Sequence, residues 1–326
     1  MSTVKQIIKR LTTAKFDKKI NLHTKNILGI TTISLLDVGA ANGTYDRWSA
    51  FTKFVDYFAV EPDARSSSTV LKTEPSGGYN SQSLINKALW HTRGEVVLNL
   101  CRKPMASSVY EPNREFIDLF PEPERNEVVE RIKLSCDTVD NIANETNSNF
   151  DVMKLDVQGA ELDVLRGSTK VLANTLAIDI EVEFSEIYKN QPLFDSIFGF
   201  LRSHEFEFID FTYVYRWSPD SYNGIGQATF SDALFMRSPE KIGASSDLTL
   251  LRKYAVICAI FERGDLLMRL SNYCTKHSKL EAKIIKEIAD LGLLLSARNA
   301  RTQRLLNRAM KVIRLFHPRV RAHVMH

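Results

Sequence analysis

Between residues 31 and 240, short apolar runs alternate with stretches whose apolar residues recur at helical spacing. The run Ile33–Val38 is almost wholly apolar, which is typical of a strand covered on both faces. A glycine turn and then a helix are predicted after it. This alternation predicts an α/β fold with βαβ units and a mainly parallel sheet. Further strands are predicted over residues 58–62, 83–89, 94–101, 131–137, 150–156, 176–183, 206–211 and 233–236, and further helices over 62–71, 161–167 and 193–202.

From about Asp247 the pattern becomes helical and stays so to Phe316. Beyond Asp290 the chain has no acidic residue, and Pro318 is expected to end the last helix. Three roles are open for this helix: a cap or self-association arm, a peripheral membrane-surface helix, or a surface for an anionic partner. Nucleic acid is the least favoured partner, since no reading motif is present. The predicted basic face of the helix carries Arg301, Arg304, Arg308 and Lys311, and the predicted apolar face carries Leu306, Met310 and Ile313.

Length and composition bound the remaining possibilities. The 326 residues suggest about two domains, and the net charge of +4 does not by itself require nucleic acid. We divide the chain into a basic N-terminal helix and linker (1–30), an α/β domain (31–240) and a helical extension (241–326). No secretory signal or membrane-spanning run is recognised, so a cytoplasmic location is expected. The cysteines are scattered without a C-x-x-C pair, which favours reduced, buried thiols over a zinc site: Cys101, Cys136, Cys258 and Cys274.

The first candidate chemistry lies at the end of the first strand, in the pattern D-x-G-x-x-x-G from Asp37 through Gly39 to Gly43. A dinucleotide turn of the G-x-G-x-x-G kind is absent, and so is a phosphate loop. An acidic strand end repels a pyrophosphate but suits a cationic ligand without phosphate, such as S-adenosylmethionine. Glu61 follows about twenty residues later, where an acid accepts ribose hydroxyls.

A second group of acids follows two later strands. Asp156 ends one strand, and Glu181 and Glu183 lie near the end of the next. Asp156 with either glutamate is a candidate general base or a candidate site for a divalent metal. Asp156 is equally a candidate for holding the amino group of the cofactor, and Glu161 for capping its helix. Weaker candidates are two bases, His91 and His204, and loop aromatics for stacking on a sugar, Tyr213, Tyr215, Trp217 and Tyr222.

Two motifs together carry a resemblance. LLDVGAANGTYD (35–46) and KLDVQGAELDVLRGS (154–168) make residues 31–238 similar to the FkbM family of S-adenosylmethionine-dependent methyltransferases. Gln158 stands where that family often has glutamate, which argues against a catalytic role for this position. The resemblance implies the Rossmann-like class I methyltransferase fold, a seven-stranded, mainly parallel sheet with helices on both faces and an antiparallel last strand. It also implies O-methylation of a hydroxyl on a sugar, glycan or other small molecule.

The resemblance and the residues together give a candidate cofactor site. Asp37 and Gly39 would place the methionine part, and Glu61 the ribose. The turn after Asp156 lacks the Asn/Asp-Pro-Pro-aromatic pattern of enzymes that methylate planar nitrogens. Two alternatives are an oxidoreductase or epimerase that uses a nucleotide cofactor, and a methyltransferase fold kept as a non-catalytic binding module. Further candidate cofactor contacts are Asn42, Gly43, Pro62, Asn86, Ala88, Ser108 and Asp156.

Overall fold

The computed structural model describes residues 16–29, 31–42, 46–63, 78–222, 224–245, 247–278 and 280–316. The chain divides into two compact units. One unit spans residues 32–238, and the other joins the described residues before Thr32 to those from Pro239 to Phe316. The N-terminal segment and the helical extension therefore form one unit, where the sequence suggested two separate segments.

The first unit is built on a seven-stranded sheet. Its strands are β1 Ile33–Val38, β2 Val55–Val60, β3 Ser81–Ile85, β7 Val152–Leu155, β8 Ala177–Glu183, β9 Phe206–Trp217 and β10 Gln227–Arg237. They lie in the order β3-β2-β1-β7-β8-β10-β9. The first five of these are parallel, and β10 runs antiparallel to both β8 and β9. This arrangement agrees with the expected Rossmann-like sheet and its antiparallel last strand.

A second sheet has three strands, β4 Ala88–Leu89, β5 Gly94–Cys101 and β6 Val128–Asp137. Their order is β4-β6-β5. As predicted, β5 is antiparallel to its neighbour β6. The predicted strand over residues 83–89 is wrong as a single element. It breaks at Asn86 and Lys87, and its two parts join different sheets.

The two faces of the large sheet differ in polarity. Side chains alternate between faces along a strand, so Leu36, Met153 and Ile178 point to an apolar core. Asp37, Lys154 and Asp179 point to the other face and are paired in register across β1, β7 and β8. All three of these charged side chains are buried. The sheet therefore has one apolar face and one face that carries a row of buried charges.

Helices of the first unit cover the apolar face. Ile142, Leu165 and Leu201 come from three different helices and belong to the same buried cluster as the strand residues. The predicted helices over 161–167 and 193–202 are confirmed, whereas the one over 62–71 lies outside the described residues except at its start. After β1 the described residues form short 3-10 turns, Ala40–Asn42, Asp46–Trp48 and Thr52–Phe54, instead of the expected helix. The α-helices are Arg114–Ile117, Val139–Glu145, Glu161–Arg166, Thr169–Leu172 and Phe194–Ser203.

The second unit is helical, as the C-terminal pattern predicts. Gly264 and Gly292 bring two of its helices together: a Cβ on Gly264 would lie 2.7 Å from the Gly292 carbonyl oxygen. Arg298 is buried and pairs with Asp17 at 3.1 Å and with Glu262 at 2.9 Å. The helices of this unit are residues 16–28, Pro239–Ala244, Leu248–Ile260, Gly264–His277 and Ala282–Phe316.

The basic face predicted for the last helix is described in part. Arg301, Arg304 and Arg308 are exposed, whereas the side chains of Leu306 and residues 310–313 lie outside the described part. No helix among the described residues has the length and apolar character needed to cross a membrane. The four cysteines are buried and free of disulfides, as expected.

Candidate functional site

A cavity of about 420 Å³ opens along the carboxyl ends of the parallel strands, within the first unit. Ligands of open α/β sheets bind at this edge, and the volume lies within the usual range for small-molecule sites. Gly39 and Glu61 follow β1 and β2 and line one part of the cavity together with Ala88 of β4. Tyr215 and Trp217, near the end of β9, line another part. The cavity therefore extends across most of the width of the sheet.

The glycine turn after β1 shapes the cavity wall. Gly39 has a φ of 80°, a conformation that favours glycine. A Cβ at this position would lie 1.9 Å from the carbonyl oxygen of Asp156. Any side chain here would collide with the end of β7, so glycine is required both for the turn and for the close approach of the two strand ends.

Lys154 joins two acids of this region. Its Nζ lies 3.2 Å from Asp37 Oδ1 and 3.5 Å from Asp156 Oδ2. The Tyr57 hydroxyl also donates to Asp37 Oδ2 at 2.8 Å. Burial raises the pKa of Asp37, against the lowering effects of Lys154 and Tyr57. Asp37 is fully buried and does not line the cavity, and Lys154 links it to Asp156, which does.

Gln158 connects two acids at the strand ends, Asp156 and Glu181. Its Nε2 donates to Asp156 Oδ1 and to Glu181 Oε1, both at 2.9 Å. Its Oε1 accepts a hydrogen bond from the Tyr188 hydroxyl at 3.0 Å. Its backbone has a φ of 57°, and its carbonyl accepts from the Ser108 hydroxyl at 2.7 Å. The amide of Gln158 thus fixes both Asp156 and Glu181, and all three line the cavity.

More carboxyl groups than cations lie near this edge. Burial, followed by the charges of Asp156 and Glu183, raises the pKa of Glu181 well above its usual range. Burial also raises the pKa of Glu161 to about 7, although the N–H of Val157 donates to its Oε1 at 2.7 Å. No ion pair within the described ranges involves Glu181. A protonated group or a cationic ligand is therefore favoured beside Glu181.

Glu61 follows β2 and lines the same cavity. The backbone N–H of Asp63 donates to Glu61 Oε1 at 2.8 Å, which holds the carboxyl at the end of the strand. Burial raises the pKa of Glu61 to about 7. The ionised carboxylate of Glu61 is stabilised by hydrogen-bond donors of a ligand, and two ribose hydroxyls are donors of this kind.

The structure brings together most of the predicted cofactor residues. Gly39, Glu61 and Asp156 line the cavity, and Pro62 and Ala88 lie beside them. Asn42 belongs to the turn Ala40–Asn42, next to the lining residue Ala41. Gly43 lies outside the described residues.

Other predicted positions do not reach the cavity. Asn86 is exposed where β3 ends, and the Ser108 hydroxyl is bonded to the Gln158 carbonyl instead of facing a ligand. Glu183 is buried two positions further along β8 and is not part of the cavity lining. Glu161 binds the backbone of the turn and does not act as the N-cap, a position held by Ala160.

The weaker candidates fall into two groups. His91 lies 3.3 Å from Asp163, and His204 contacts its own helix at the Phe200 carbonyl; neither lines the cavity. Tyr215 and Trp217 do line it, but they belong to strand β9 and not to a loop. Tyr213 and Tyr222 are exposed. Within the described ranges, no group of three or more His, Cys, Asp or Glu is arranged to hold a metal ion.

Several residues of the site were not predicted from the sequence. Lys154 could have been found, because a lysine inside an apolar strand requires a buried partner. Tyr188 gave no such signal in the sequence. The segment 111–127, which is rich in proline and acid and is expected on the surface, buries Ile117 and Asn126 and contributes Arg125 to the cavity wall. Three of the four residues 106–109, a stretch of small residues that the sequence offers as a candidate lining of the cofactor site, do line the cavity.

A sequence model of the methyltransferase FkbM domain matches residues 37–208, more than half of the chain. This chain belongs to the FkbM methyltransferase family. The match spans both motifs, the Gly39 turn and the segment from Asp156 to Ser168. The protein is accordingly a methyltransferase dependent on S-adenosylmethionine. No curated protein matches the sequence significantly.

Among solved structures, the chain is similar to magnesium protoporphyrin IX methyltransferase from Synechocystis PCC 6803 with bound S-adenosylmethionine. The sequence identity is 8%, the match covers 72% of this chain and 84% of that one, and the TM-score is 0.34. It is also similar to an rRNA methylase from Streptococcus thermophilus, at 10% identity over 67% and 93% of the chains and a TM-score of 0.34. A third is a precorrin-6y C5,15-methyltransferase from Geobacter metallireducens, at 10% identity over 67% and 89% and a TM-score of 0.33.

Proposed function

We propose that this FkbM methyltransferase is an O-methyltransferase that acts on a hydroxyl of a sugar, a glycan or another small molecule. The observation that carries the proposal is the unit formed by Asp156, Gln158 and Glu181. It lies on the wall of a cavity that also contains the Gly39 turn and Glu61. The part of the cavity at the Gly39 turn and Glu61 offers places for a cationic nucleoside. The unit of Asp156, Gln158 and Glu181 offers a carboxyl group for the hydroxyl of the acceptor.

The residues fit S-adenosylmethionine as the methyl donor. The Gly39 turn lines the cavity, and Glu61 in the same lining offers a carboxylate to ribose hydroxyls. Asp156 lies next to this turn and attracts a positive charge. When bound, the cofactor supplies a methyl group on a positively charged sulfur atom, so the protein has to hold the acceptor and receive its proton.

Glu181 is the group that we assign to receive this proton. Asp156 shares the charge of Lys154 with Asp37, since the Lys154 Nζ lies 3.5 Å from Asp156 Oδ2 and 3.2 Å from Asp37 Oδ1. Glu181 has an amide neighbour instead, and its raised pKa makes it a stronger base once it is ionised. Tyr215 and Trp217 form an aromatic wall nearby that suits the apolar face of a sugar ring.

The test follows labelled methyl from S-adenosylmethionine into hydroxyl compounds, with calorimetry for cofactor binding. Glu181→Gln should lower the rate by about 10²-fold or more while cofactor affinity stays within a factor of about two, because only proton transfer is lost. Asp156→Asn should mainly weaken cofactor binding. Glu130→Gln is the matched control, since Glu130 is exposed on β6 and away from the cavity.

Two results would contradict the proposed O-methyltransferase function. Binding of NAD without binding of S-adenosylmethionine would favour an oxidoreductase or epimerase. Cofactor binding without transfer to any component of a cell extract would favour a non-catalytic module. Repeating the assay with a chelator tests whether a divalent metal takes part.

A further inference from the structure

The far part of the cavity has a pair of cations for which the proposed function gives no role. Lys103 and Arg125 both line the cavity. Lys103 precedes the 3-10 turn Pro104–Ala106, and Arg125 belongs to the 3-10 turn Pro123–Asn126. The backbone N–H of Lys103 donates to the Arg125 carbonyl at 3.0 Å, so the two residues are held side by side.

Arg125 is held in place by its neighbours. Its guanidinium carbon lies 4.5 Å from the centroid of the Trp217 ring, and its Nε donates to Asn126 Oδ1 at 3.3 Å. Asn126 is itself buried. Trp217 is packed by Phe116 at 6.0 Å and by Phe120 at 5.3 Å between ring centroids. The guanidinium is thus positioned on an aromatic support at the cavity wall.

Neither cation is neutralised by the residues that the structure describes. Among the described residues, the ion pairs nearest in sequence join Arg102 to Glu127 and Arg114 to Asp118. No ion pair of the described residues includes Lys103 or Arg125. Lys87, another cation of the lining, differs because it pairs with Asp137 at 3.2 Å and with Glu145 at 2.9 Å. Two adjacent, uncompensated cations at a concave wall attract an anion.

The wall beside these cations is apolar and aromatic. Met105, Ile187 and Phe230 line it together with Tyr215, whose ring stacks on Phe230 at 4.3 Å and 10°. We therefore propose that the acceptor is an anionic hydroxyl compound: a ring whose carboxylate or other acidic group is bound by Lys103 and Arg125. This inference rests on the proposed methyl transfer, since it names the substrate class of the same cavity.

The arrangement separates the charges within the cavity. The acidic unit of Asp156 and Glu181 repels an anionic group, whereas Lys103 and Arg125 attract it. An acceptor with one acidic group is thereby oriented with that group away from Glu181 and with a hydroxyl free to approach it. Arginine suits this role because its planar group can bind a carboxylate through two donors.

The test compares two ligands that differ at a single position, 4-nitrophenyl β-glucuronide with a carboxylate at C6 and 4-nitrophenyl β-glucoside with a neutral hydroxymethyl group there. Each is titrated by calorimetry into the full-length protein saturated with S-adenosylhomocysteine, so that no turnover occurs. We expect the glucuronide to bind about tenfold more tightly, since charge-assisted hydrogen bonds are stronger than neutral ones. The advantage should shrink as the salt concentration rises.

Variants then assign the preference to the two cations. Lys103→Gln with Arg125→Gln should reduce the difference between the ligands to within about twofold, with the affinity for S-adenosylhomocysteine unchanged. Lys133→Gln is the control for the loss of one positive charge, because Lys133 is exposed and lies outside the cavity. Arg125→Lys should keep part of the preference, since it retains the charge and loses the planar group.

Equal binding of the two ligands, binding of neither, or a preference that survives the double variant would overturn the inference. Failure of the proposed function is distinguishable. It would appear as no transfer of labelled methyl from S-adenosylmethionine to any hydroxyl compound, whereas the preference between the two glycosides is measured by calorimetry without turnover.

Discussion

Gly39→Ala tests whether the close approach of β1 and β7 creates the cofactor end of the cavity. An alanine Cβ would lie 1.9 Å from the Asp156 carbonyl oxygen, so the two strand ends would have to separate. The residue would also adopt a φ of 80°, which costs an alanine about 1–2 kcal/mol. Overpacking adds about 1–3 kcal/mol. We expect a loss of about 2–5 kcal/mol in the free energy of unfolding of this unit.

Cofactor binding should weaken together with stability. The separation moves Asp156 and the Gly39 turn together, and both line the cavity. A displacement of about 1 Å in an active site costs about 10²-fold in rate, and we expect the affinity for S-adenosylmethionine to fall by about the same factor. Urea denaturation gives the stability, and calorimetry with S-adenosylmethionine at a temperature where the variant is folded gives the affinity.

Gly199→Ala is the matched control. Gly199 lies in the helix Phe194–Ser203, and a Cβ there would meet nothing within 4 Å. Alanine should stabilise this helix by about 0.5–1 kcal/mol, because it loses less backbone entropy on folding than glycine. If Gly39→Ala unfolds at the same urea concentration as the unmodified protein and binds the cofactor equally well, the account of the turn is refuted.

Three further predictions concern Glu61, Arg237 and the buried acids. Because burial raises the pKa of Glu61 to about 7, cofactor affinity should rise as the pH increases through this value. Glu61→Gln should weaken cofactor binding in calorimetry and lessen the dependence of affinity on pH. An unchanged dependence on pH in this variant would contradict the role of Glu61. Arg237 donates to the carbonyls of Thr175, His204 and Leu172. Arg237→Met should therefore lower the free energy of unfolding in urea by about 3 kcal/mol. A loss below about 1 kcal/mol would contradict the role of these hydrogen bonds. Burial also raises the pKa of Glu161 and Asp232 to about 7, so the folded protein binds protons more tightly than the unfolded chain. Their contribution to stability is complete below about pH 4 and is lost as the pH rises through about 7; unfolding at about pH 5 and about pH 8 should show the decrease, and equal stability would refute it.

Local pattern in the chain was enough to predict the elements that depend on neighbouring residues. The strand Ile33–Val38 and the motif from Asp156 to Gly167 are visible because apolar periodicity and glycine reflect the backbone around each residue. Asp37, Glu61 and Asp156 were also predictable as strand-end acids. Their position in the chain suffices, since the carboxyl ends of parallel strands meet at one edge of the sheet.

Which side chains meet across the cavity became visible only in the folded chain. Nothing local to residues 83–89 shows that the chain leaves one sheet for another at Asn86. The contact of Gln158 with Glu181 and the pairing of Lys103 with Arg125 join residues that are far apart in the sequence, through folding of the chain between them. Such contacts depend on packing among distant segments, and a linear pattern carries no record of that packing.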